Sequence, residues 1–184
     1  MHDEDICHVI GSCSRLSSSM YLPFRHDQVA RLVYNQIIRL YEPSSNYKAP
    51  QPVYTAGEAE LWWDMKIPCT PAVEFNRPDI VIWHKIKKTC QIIEVGTPLD
   101  VNVDEAEVTK QSKYVPLAVN LKRVYKEYQF ECIPIVVGAT GYIPKSLPSN
   151  LKLIGFDETT IKRMLVSIAE KIVSGTVKIA KSAL

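Results

Sequence analysis

The segment that most constrains the fold is a pair of apolar runs separated by a short polar stretch. Residues 79–84 read Asp-Ile-Val-Ile-Trp-His, residues 85–88 read Lys-Ile-Lys-Lys, and residues 89–95 read Thr-Cys-Gln-Ile-Ile-Glu-Val. Runs of β-branched and aromatic residues on both sides of a short loop are typical of a β-hairpin. The sequence therefore predicts two antiparallel strands, bounded by the proline break at 76–78 and the Gly-Thr-Pro break at 96–98.

The predicted hairpin places two carboxylates at its open end. A four-residue loop at 85–88 and a two-residue loop at 86–87 both pair residues whose numbers sum to 173, so Asp79 faces Glu94. Directly opposed side chains share a face at about 5 Å between Cβ atoms, and carboxylates that close repel each other unless a cation neutralises them. Because Mg²⁺ and Mn²⁺ prefer oxygen ligands, the pair predicts a divalent metal site. A three-residue loop would put the two on opposite faces, and solvated strand ends are the alternative interpretation.

A lysine beside the two carboxylates would orient the attacking water or counter the developing charge. Residues 103–128 have a mostly helical pattern, in which Pro116 starts, kinks or divides the helix. On a continuous helix, Lys110 lies in the middle of the apolar stripe and Lys113 lies at its edge. A lysine in such a stripe needs a partner, so Lys110 and Lys113 are both candidates for the active lysine. A lysine that snorkels at a helix start is the alternative.

The rest of the chain predicts one mixed domain. Asp27 begins a helix with apolar residues at helical spacing, namely Val29, Leu32, Val33, Ile37 and Leu40. The further elements are a loop or linker at 14–23, a loop at 42–53, a strand at 61–67, a buried central strand at 133–137, and two C-terminal helices at 157–173 and 175–183, separated near Gly175. The order α-β-β-β-α-β-α-α predicts an α/β fold with a mixed central sheet flanked by helices.

Composition limits the class of protein. The chain has 184 residues, 46% of them hydrophobic, which suits one globular domain. No apolar run reaches the length of about 18 residues that a transmembrane helix needs, and the acidic N-terminus does not resemble a signal peptide. Five cysteines without framework spacing indicate reduced thiols, so we expect the protein not to be secreted. The net charge of +2 is low for a nucleic-acid binder, although residues 142–184 hold 7 basic and 3 acidic groups.

Three motifs in this order resemble a known family. They are Asn-Arg-Pro-Asp-Ile-Val-Ile at 76–82, Ile-Ile-Glu-Val at 92–95, and Lys-x-x-Lys-Tyr at 110–114. Together they are similar to the restriction-like endonuclease domain, of the PD-(D/E)XK superfamily, at the C-terminus of site-specific non-LTR retrotransposon polyproteins. Further similar motifs are Arg-His-Asp at 25–27, Leu-Trp-x-Asp at 61–64 and the strand and glycines at 133–141.

The resemblance implies a restriction-endonuclease-like core at 24–150, a C-terminal helical extension at 151–184, and a remnant of a zinc-knuckle and linker region at 1–23. It implies a Mg²⁺- or Mn²⁺-dependent endonuclease that nicks target DNA, so that the new 3′ end primes reverse transcription. Asp79 and Glu94 would hold the metal. A helix lysine would replace the one usually found two residues after the second acid, where this chain has Gly96.

The resemblance also implies the partners. These are DNA and the reverse-transcriptase portion or RNA of the parent element, with no membrane. The inferred role implies a nuclear location, and a cytoplasmic location is the alternative. Residues that we expect at the DNA are Arg25, His26, Lys85, Lys87, Lys88 and Tyr114, although a cap or core-edge position for Arg25 and His26, and a solvated turn for the three lysines, are the alternatives. A catalytically inactive or domesticated remnant that binds DNA or a protein partner is the alternative function.

Two residues near the N-terminus resemble part of a zinc-binding motif. His8 and Cys13 fit the end of the Cys-Cys-His-Cys knuckle that precedes the nuclease domain in this family. Structural zinc takes four ligands, and the first two cysteines of the knuckle would lie before residue 1. We therefore do not expect zinc in this chain.

Overall fold

The computed structural model describes residues 8–12, 16–46 and 49–182. Two irregular helical segments, His8–Ser12 and Ser17–His26, precede helix α1 (Asp27–Tyr41). The strands are β1 (Val53–Ala56), β2 (Ala59–Trp63), β3 (Ile80–His84), β4 (Thr89–Gly96) and β5 (Gln129–Val136). A 3₁₀ turn, Asp100–Asn102, leads into α2 (Val103–Lys113), and the other helices are α3 (Val115–Val124), α4 (Leu147–Ile154) and α5 (Glu158–Ser182). Within these ranges no helix is both long and apolar enough to cross a membrane.

The five strands form one mixed sheet in the order β1-β2-β3-β4-β5. The first three pairs are antiparallel, and β4 pairs with β5 in parallel. One face of the sheet packs on α1, α4 and α5 in the larger hydrophobic core, and the other face packs on α3 in a smaller core. The predicted class, a mixed sheet flanked by helices, is confirmed.

The hairpin has the predicted register. Residues 85–88 form the loop, and Val81 pairs with Ile92 while Trp83 pairs with Cys90. Side chains alternate across the sheet, so Val81 and Ile92 enter the smaller core and Ile93 enters the larger one. The three-residue loop, which would have separated the two acids, does not occur.

The predicted order of elements is incomplete on two counts. It omits β1, a four-residue strand at the edge of the sheet in which only Ala56 is buried, and it omits α4. The strand predicted at 61–67 is β2, which starts two residues earlier and ends at Trp63.

The central position predicted for the strand at 133–137 is wrong. This strand is the second half of β5, which lies at the sheet edge. Its last four residues are nevertheless buried. The apolar run therefore reflects coverage by helices rather than a strand on each side.

The two predicted C-terminal helices are one continuous helix, α5, and the predicted separation near Gly175 is wrong. A Cβ at Gly175 would collide with the carbonyl oxygen of Phe24 and crowd Arg25 Cγ. The glycine therefore permits close packing of α5 on the 17–26 segment, which is helical where a loop or linker was predicted. The boundary predicted after residue 150 falls inside α4, and α4 and α5 share the larger core with the sheet.

The helix predicted over 103–128 is divided at Tyr114, with Pro116 in the first turn of α3. Val103 is the buried residue of α2, so Lys110 does not lie in an apolar stripe of one continuous helix. Polar contacts hold α2 instead: Glu107 accepts hydrogen bonds from Ser146 and Asn150 at 2.7 and 2.9 Å. The division occurs because proline lacks the N–H that an interior helical turn requires.

A buried hydrogen-bond chain stabilises the loop end of the hairpin. Gln91 Nε2 donates to the Leu153 carbonyl oxygen at 2.8 Å, which turns Gln91 Oε1 toward His84 Nε2 at 3.1 Å. His84 Nε2–H therefore donates to Gln91, and Nδ1 accepts from the Tyr41 hydroxyl at 2.8 Å. Burial lowers the pKa of His84 from its ordinary value, although the bond to Gln91 acts in the opposite direction.

The buried hydrogen-bond chain around His84 predicts that this histidine makes the stability of the folded protein sensitive to acid. A histidine whose pKa is lower in the folded state stabilises the protein above the unfolded pKa of about 6.5. That contribution is lost as the pH falls toward the folded pKa, because the unfolded state then binds the extra proton. His26, whose pKa is raised, acts in the opposite direction over this pH range, but it does so equally in the parent and in His84→Gln. We therefore expect urea titrations to show that the free energy of unfolding of the parent falls relative to that of His84→Gln between pH 7.5 and 5.5. Equal pH dependence in both proteins would contradict the assignment.

Candidate active site

Asp79 and Glu94 lie side by side at the open end of the hairpin. Asp79 directly precedes β3 and Glu94 lies in β4, one step beyond the pair Ile80–Ile93. Lys110 Nζ lies 3.2 Å from Glu94 Oε1, and the charge of Lys110 also acts on Asp79. The two carboxylates therefore converge on the same side of the sheet, next to α2.

Glu94 is the more buried of the two acids, because 7% of its side chain is exposed, against 17% for Asp79. Its Oε1 accepts from both lysines, Lys113 at 2.6 Å and Lys110 at 3.2 Å. Lys110 and Lys113 can act together because residues three apart share one helix face. Glu94 Oε2 is buried and accepts no hydrogen bond of normal geometry among the described residues, although the Tyr114 side chain is close enough to interact with the Glu94 carboxylate.

Asp79 is held by different donors. Its Oδ2 accepts from the Val95 backbone amide at 2.7 Å and lies 3.2 Å from His26 Nε2. Burial alone would raise the pKa of Asp79, but the hydrogen bond and charge of His26, the Val95 amide and the charge of Lys110 together lower it. The carboxylate is therefore ionised at neutral pH.

His26 lies between two carboxylates, because its Nδ1 is 3.1 Å from Asp27 Oδ1 and its Nε2 contacts Asp79. Burial works to lower the pKa of His26, but the hydrogen bonds and charges of Asp79 and Asp27 outweigh it and raise the pKa to about 9. The ring is an imidazolium at neutral pH, so both ring nitrogens donate.

Gly96 makes room for a lysine that arrives from α2. A Cβ at Gly96 would lie 2.5 Å from Lys110 Cε and 2.9 Å from Lys110 Cδ. The aliphatic part of Lys110 therefore lies against the backbone of β4, two residues after Glu94. Lys110 can occupy this space because residue 96 has no side chain.

Two of the residues expected at DNA are buried instead. Arg25 is 1% exposed, and its guanidinium contacts the Thr176 hydroxyl at 3.4 Å and lies over the ring of Tyr21. Tyr114 belongs to the smaller core, and its hydroxyl donates to the Arg77 carbonyl oxygen at 2.8 Å. Burial, followed by the charges of Glu94 and Asp79, raises the pKa of Tyr114 well above its usual range.

The hairpin lysines lie away from the carboxylates. Lys85 pairs with Glu60 at 2.8 Å, Lys88 pairs with Glu127 at 3.2 Å, and Lys87 is exposed. They stand at the loop end of β3, about 17 Å from Asp79 at the usual rise of a strand. The structure therefore does not bring them to the site.

The two residues predicted to belong to a zinc knuckle, His8 and Cys13, lie near the N-terminus of the chain. His8 is exposed at the start of the first helical segment, and Cys13 lies outside the described residues. In residues 8–12, 16–46 and 49–182, no three His, Cys, Asp or Glu side chains cluster as a metal-binding group.

The carboxylate pair suits a magnesium ion better than a metal with an all-protein shell. Mg²⁺ keeps several waters and is commonly held by one or two carboxylates together with substrate phosphate. Asp79 and Glu94 supply two carboxylates, and Glu94 Oε2 is a buried oxygen whose position next to Tyr114 leaves it without a hydrogen bond of normal geometry, so a cation would satisfy it. The donor set therefore fits the ion that the sequence predicted.

Phe75 also lies at this site, and the sequence analysis did not identify it. Its ring is 5.2 Å from Lys113 Nζ, and the residue is 42% exposed. The available signal was its place directly before the motif at 76–82. Phe75 stands between Glu74 and Asn76, outside any predicted strand or helix in which an aromatic ring would pack.

Comparison with known proteins adds little. No protein-family model matches the chain, and no curated protein matches it. One solved structure with some likeness is an N-terminal domain of a reptarenavirus L protein, with 15% sequence identity and a TM-score of 0.32. The match covers 58% of this chain and 58% of the viral chain, and a likeness at this level assigns neither the fold nor an activity.

Proposed function

We propose that this protein is a Mg²⁺-dependent DNA endonuclease with a restriction-endonuclease-like core, related to the C-terminal domain of non-LTR retrotransposon polyproteins. The observation that carries the proposal is the convergence of Asp79, Glu94 and Lys110 beside Gly96. In a parent element the nick would prime reverse transcription in the nucleus. The partners would then be the target DNA and the reverse-transcriptase portion or RNA of that element.

The proposed reaction is hydrolysis of a phosphodiester. Water attacks phosphorus, the P–O3′ bond breaks, and the products are a 5′ phosphate and a 3′ hydroxyl. Asp79 and Glu94 would hold the metal ion, which when bound supplies Lewis acidity and activates water. His26 and the Val95 amide hold Asp79 ionised and oriented. Lys110, next to both carboxylates, orients the water, and Lys113 faces the phosphate.

The test is nicking of supercoiled plasmid by the full chain. We expect open-circle DNA to accumulate in Mg²⁺ and in Mn²⁺, and to stop accumulating when EDTA is added. No nicking in either metal, or equal nicking in EDTA, would contradict the proposal.

The Gly96–Lys110 contact gives a second prediction. In Gly96→Ala the new methyl group displaces the flexible end of Lys110 and moves Nζ from Glu94, so we expect nicking to fall about 10- to 100-fold, the usual cost of disturbing a supporting contact at a metal site. The melting temperature should change little, because a lysine side chain yields more easily than backbone.

A lysine swap is the matched control for that variant. Lys110→Ala should be inactive, and the double change Lys110→Ala with Gly96→Lys should recover part of the activity, since the amine returns to the same space from β4. Full activity in Lys110→Ala would contradict the assignment of Lys110, and full activity in Gly96→Ala would contradict the role given to the Gly96–Lys110 contact.

A second candidate function is a metal-independent DNA-binding remnant. The observation in its favour is that the site's own cations already neutralise both acids: Lys110 and Lys113 contact Glu94, and His26 contacts Asp79. This function predicts that DNA retention weakens as salt increases, with no cleavage in any divalent metal, so the plasmid assay separates the two.

A further inference from the structure

A groove of about 630 Å³ opens beside the candidate active site. Phe75 forms one wall, and the other wall is the side of α2 that carries Ala106, Thr109, Lys110 and Lys113. Its volume is in the range of pockets that hold small ligands. The groove is therefore continuous with the lysines that contact Glu94.

Phe75 lies in this groove without being part of a core. Neither hydrophobic core includes it, although 42% exposure leaves much of the ring in water. Lys113 Nζ lies 5.2 Å from the Phe75 ring centroid and 4.9 Å from that of Tyr114, so a cation–π contact holds the ring. Since Lys113 lies over one face of the Phe75 ring, the opposite face is the platform on which a flat group can stack.

The two ends of the groove carry different charges. Lys110 and Lys113 stand at the end next to Glu94, whereas Glu105 and the Asn102 amide stand at the other end. Along α2 these ends are separated by about 7.5 Å, five residues at the rise of a helix. A nucleotide has the same polarity, since its phosphate is anionic and its base is neutral and bears hydrogen-bonding groups.

We propose that this groove binds one unpaired nucleobase of the cleaved DNA strand, stacked on Phe75, while the adjoining phosphate lies at Lys110 and Lys113. The inference rests on the proposed endonuclease function and sharpens its substrate to DNA that is single-stranded or locally melted at the cleavage position. A base inside an intact duplex cannot reach Phe75, because its faces are already stacked.

The experiment measures binding in EDTA, where no cleavage occurs. The probes are a 12-nucleotide single strand with a central 2-aminopurine and the same sequence as a duplex. Phe75→Ala should weaken binding of the single strand by about 5- to 150-fold, the range for loss of one base–aromatic stack. It should also reduce 2-aminopurine quenching and leave duplex binding nearly unchanged.

Matched variants define the control. Phe75→Trp should keep the binding, Phe75→Leu should lose most of it, and Ile86→Ala at the exposed hairpin tip should have no effect. Unchanged single-strand binding in Phe75→Ala, or equal losses for single strand and duplex, would overturn the inference.

The same proteins distinguish this inference from the proposed function. Phe75-dependent binding together with no Mg²⁺-dependent nicking would leave the groove assignment standing and remove the nuclease. Mg²⁺-dependent nicking together with binding that does not depend on Phe75 would support the nuclease and overturn the groove assignment.

Discussion

Replacing Glu94 by Gln is expected to lower the rate of Mg²⁺-dependent plasmid nicking by more than about 100-fold. Changes to groups that merely support metal ligands typically cost 10- to 100-fold, and Glu94 would itself be a ligand. The variant also removes the charge that Lys110 and Lys113 contact at 3.2 and 2.6 Å. The rate of open-circle formation at saturating Mg²⁺ measures the effect, and Mn²⁺ binding by calorimetry should be lost in parallel.

Glu60→Gln is the matched control for this variant. Glu60 also lies in the sheet and also pairs with a lysine, Lys85, at 2.8 Å, but at the other end of the strands. It should nick and bind Mn²⁺ as the parent does. A Glu94→Gln protein that unfolds at the same urea concentration as the parent and nicks at the same rate would contradict the assignment of Glu94.

The largest expected effect on stability comes from Trp83→Ala. Trp83 lies in β3, is 6% exposed, and contacts four other aromatic rings at centroid distances of 5.0 to 5.8 Å. Those rings are Trp62, Tyr125, Tyr128 and Phe130. Truncating a buried tryptophan leaves a cavity and typically costs about 3–5 kcal/mol of the free energy of unfolding. Urea denaturation followed by circular dichroism measures the loss.

A smaller change at the same position tests the cause. Trp83→Phe keeps an aromatic ring among the four neighbours and should lose less than half as much as Trp83→Ala. A loss below about 1 kcal/mol in Trp83→Ala would mean that the cluster collapses into the space and does not depend on this ring.

The carboxylate pair could be predicted because it depends on local information. Strand alternation and the loop at 85–88 fix the register of the hairpin, and the register places Asp79 opposite Glu94. Lys110 and Lys113 were predicted from an apolar helical stripe and from the motif at 110–114, and the first of these two reasons fails. The continuous apolar stripe does not exist, and the lysines reach Glu94 because α2 is held across the sheet edge by polar contacts that no helical period encodes.

The features that the sequence did not predict depend on distant contacts. Gly175 has the pattern of a helix break, yet its role is set by Phe24, some 150 positions earlier in the chain. The apolar run in β5 is typical of a central strand, yet helices rather than a second strand cover it. His26 was a candidate for the site, but its contact with Asp79 requires α1 to begin beside β3, which only the folded chain determines.

The most direct test of the central claim compares two proteins in one assay. The parent and the Asp79→Asn, Glu94→Gln double variant are purified identically and incubated with supercoiled plasmid in Mg²⁺. We predict that the parent converts the plasmid to open circle and that the double variant, folded by circular dichroism, does not. Equal conversion by both proteins, or no conversion by the parent, would contradict a metal-dependent nuclease built on these two carboxylates.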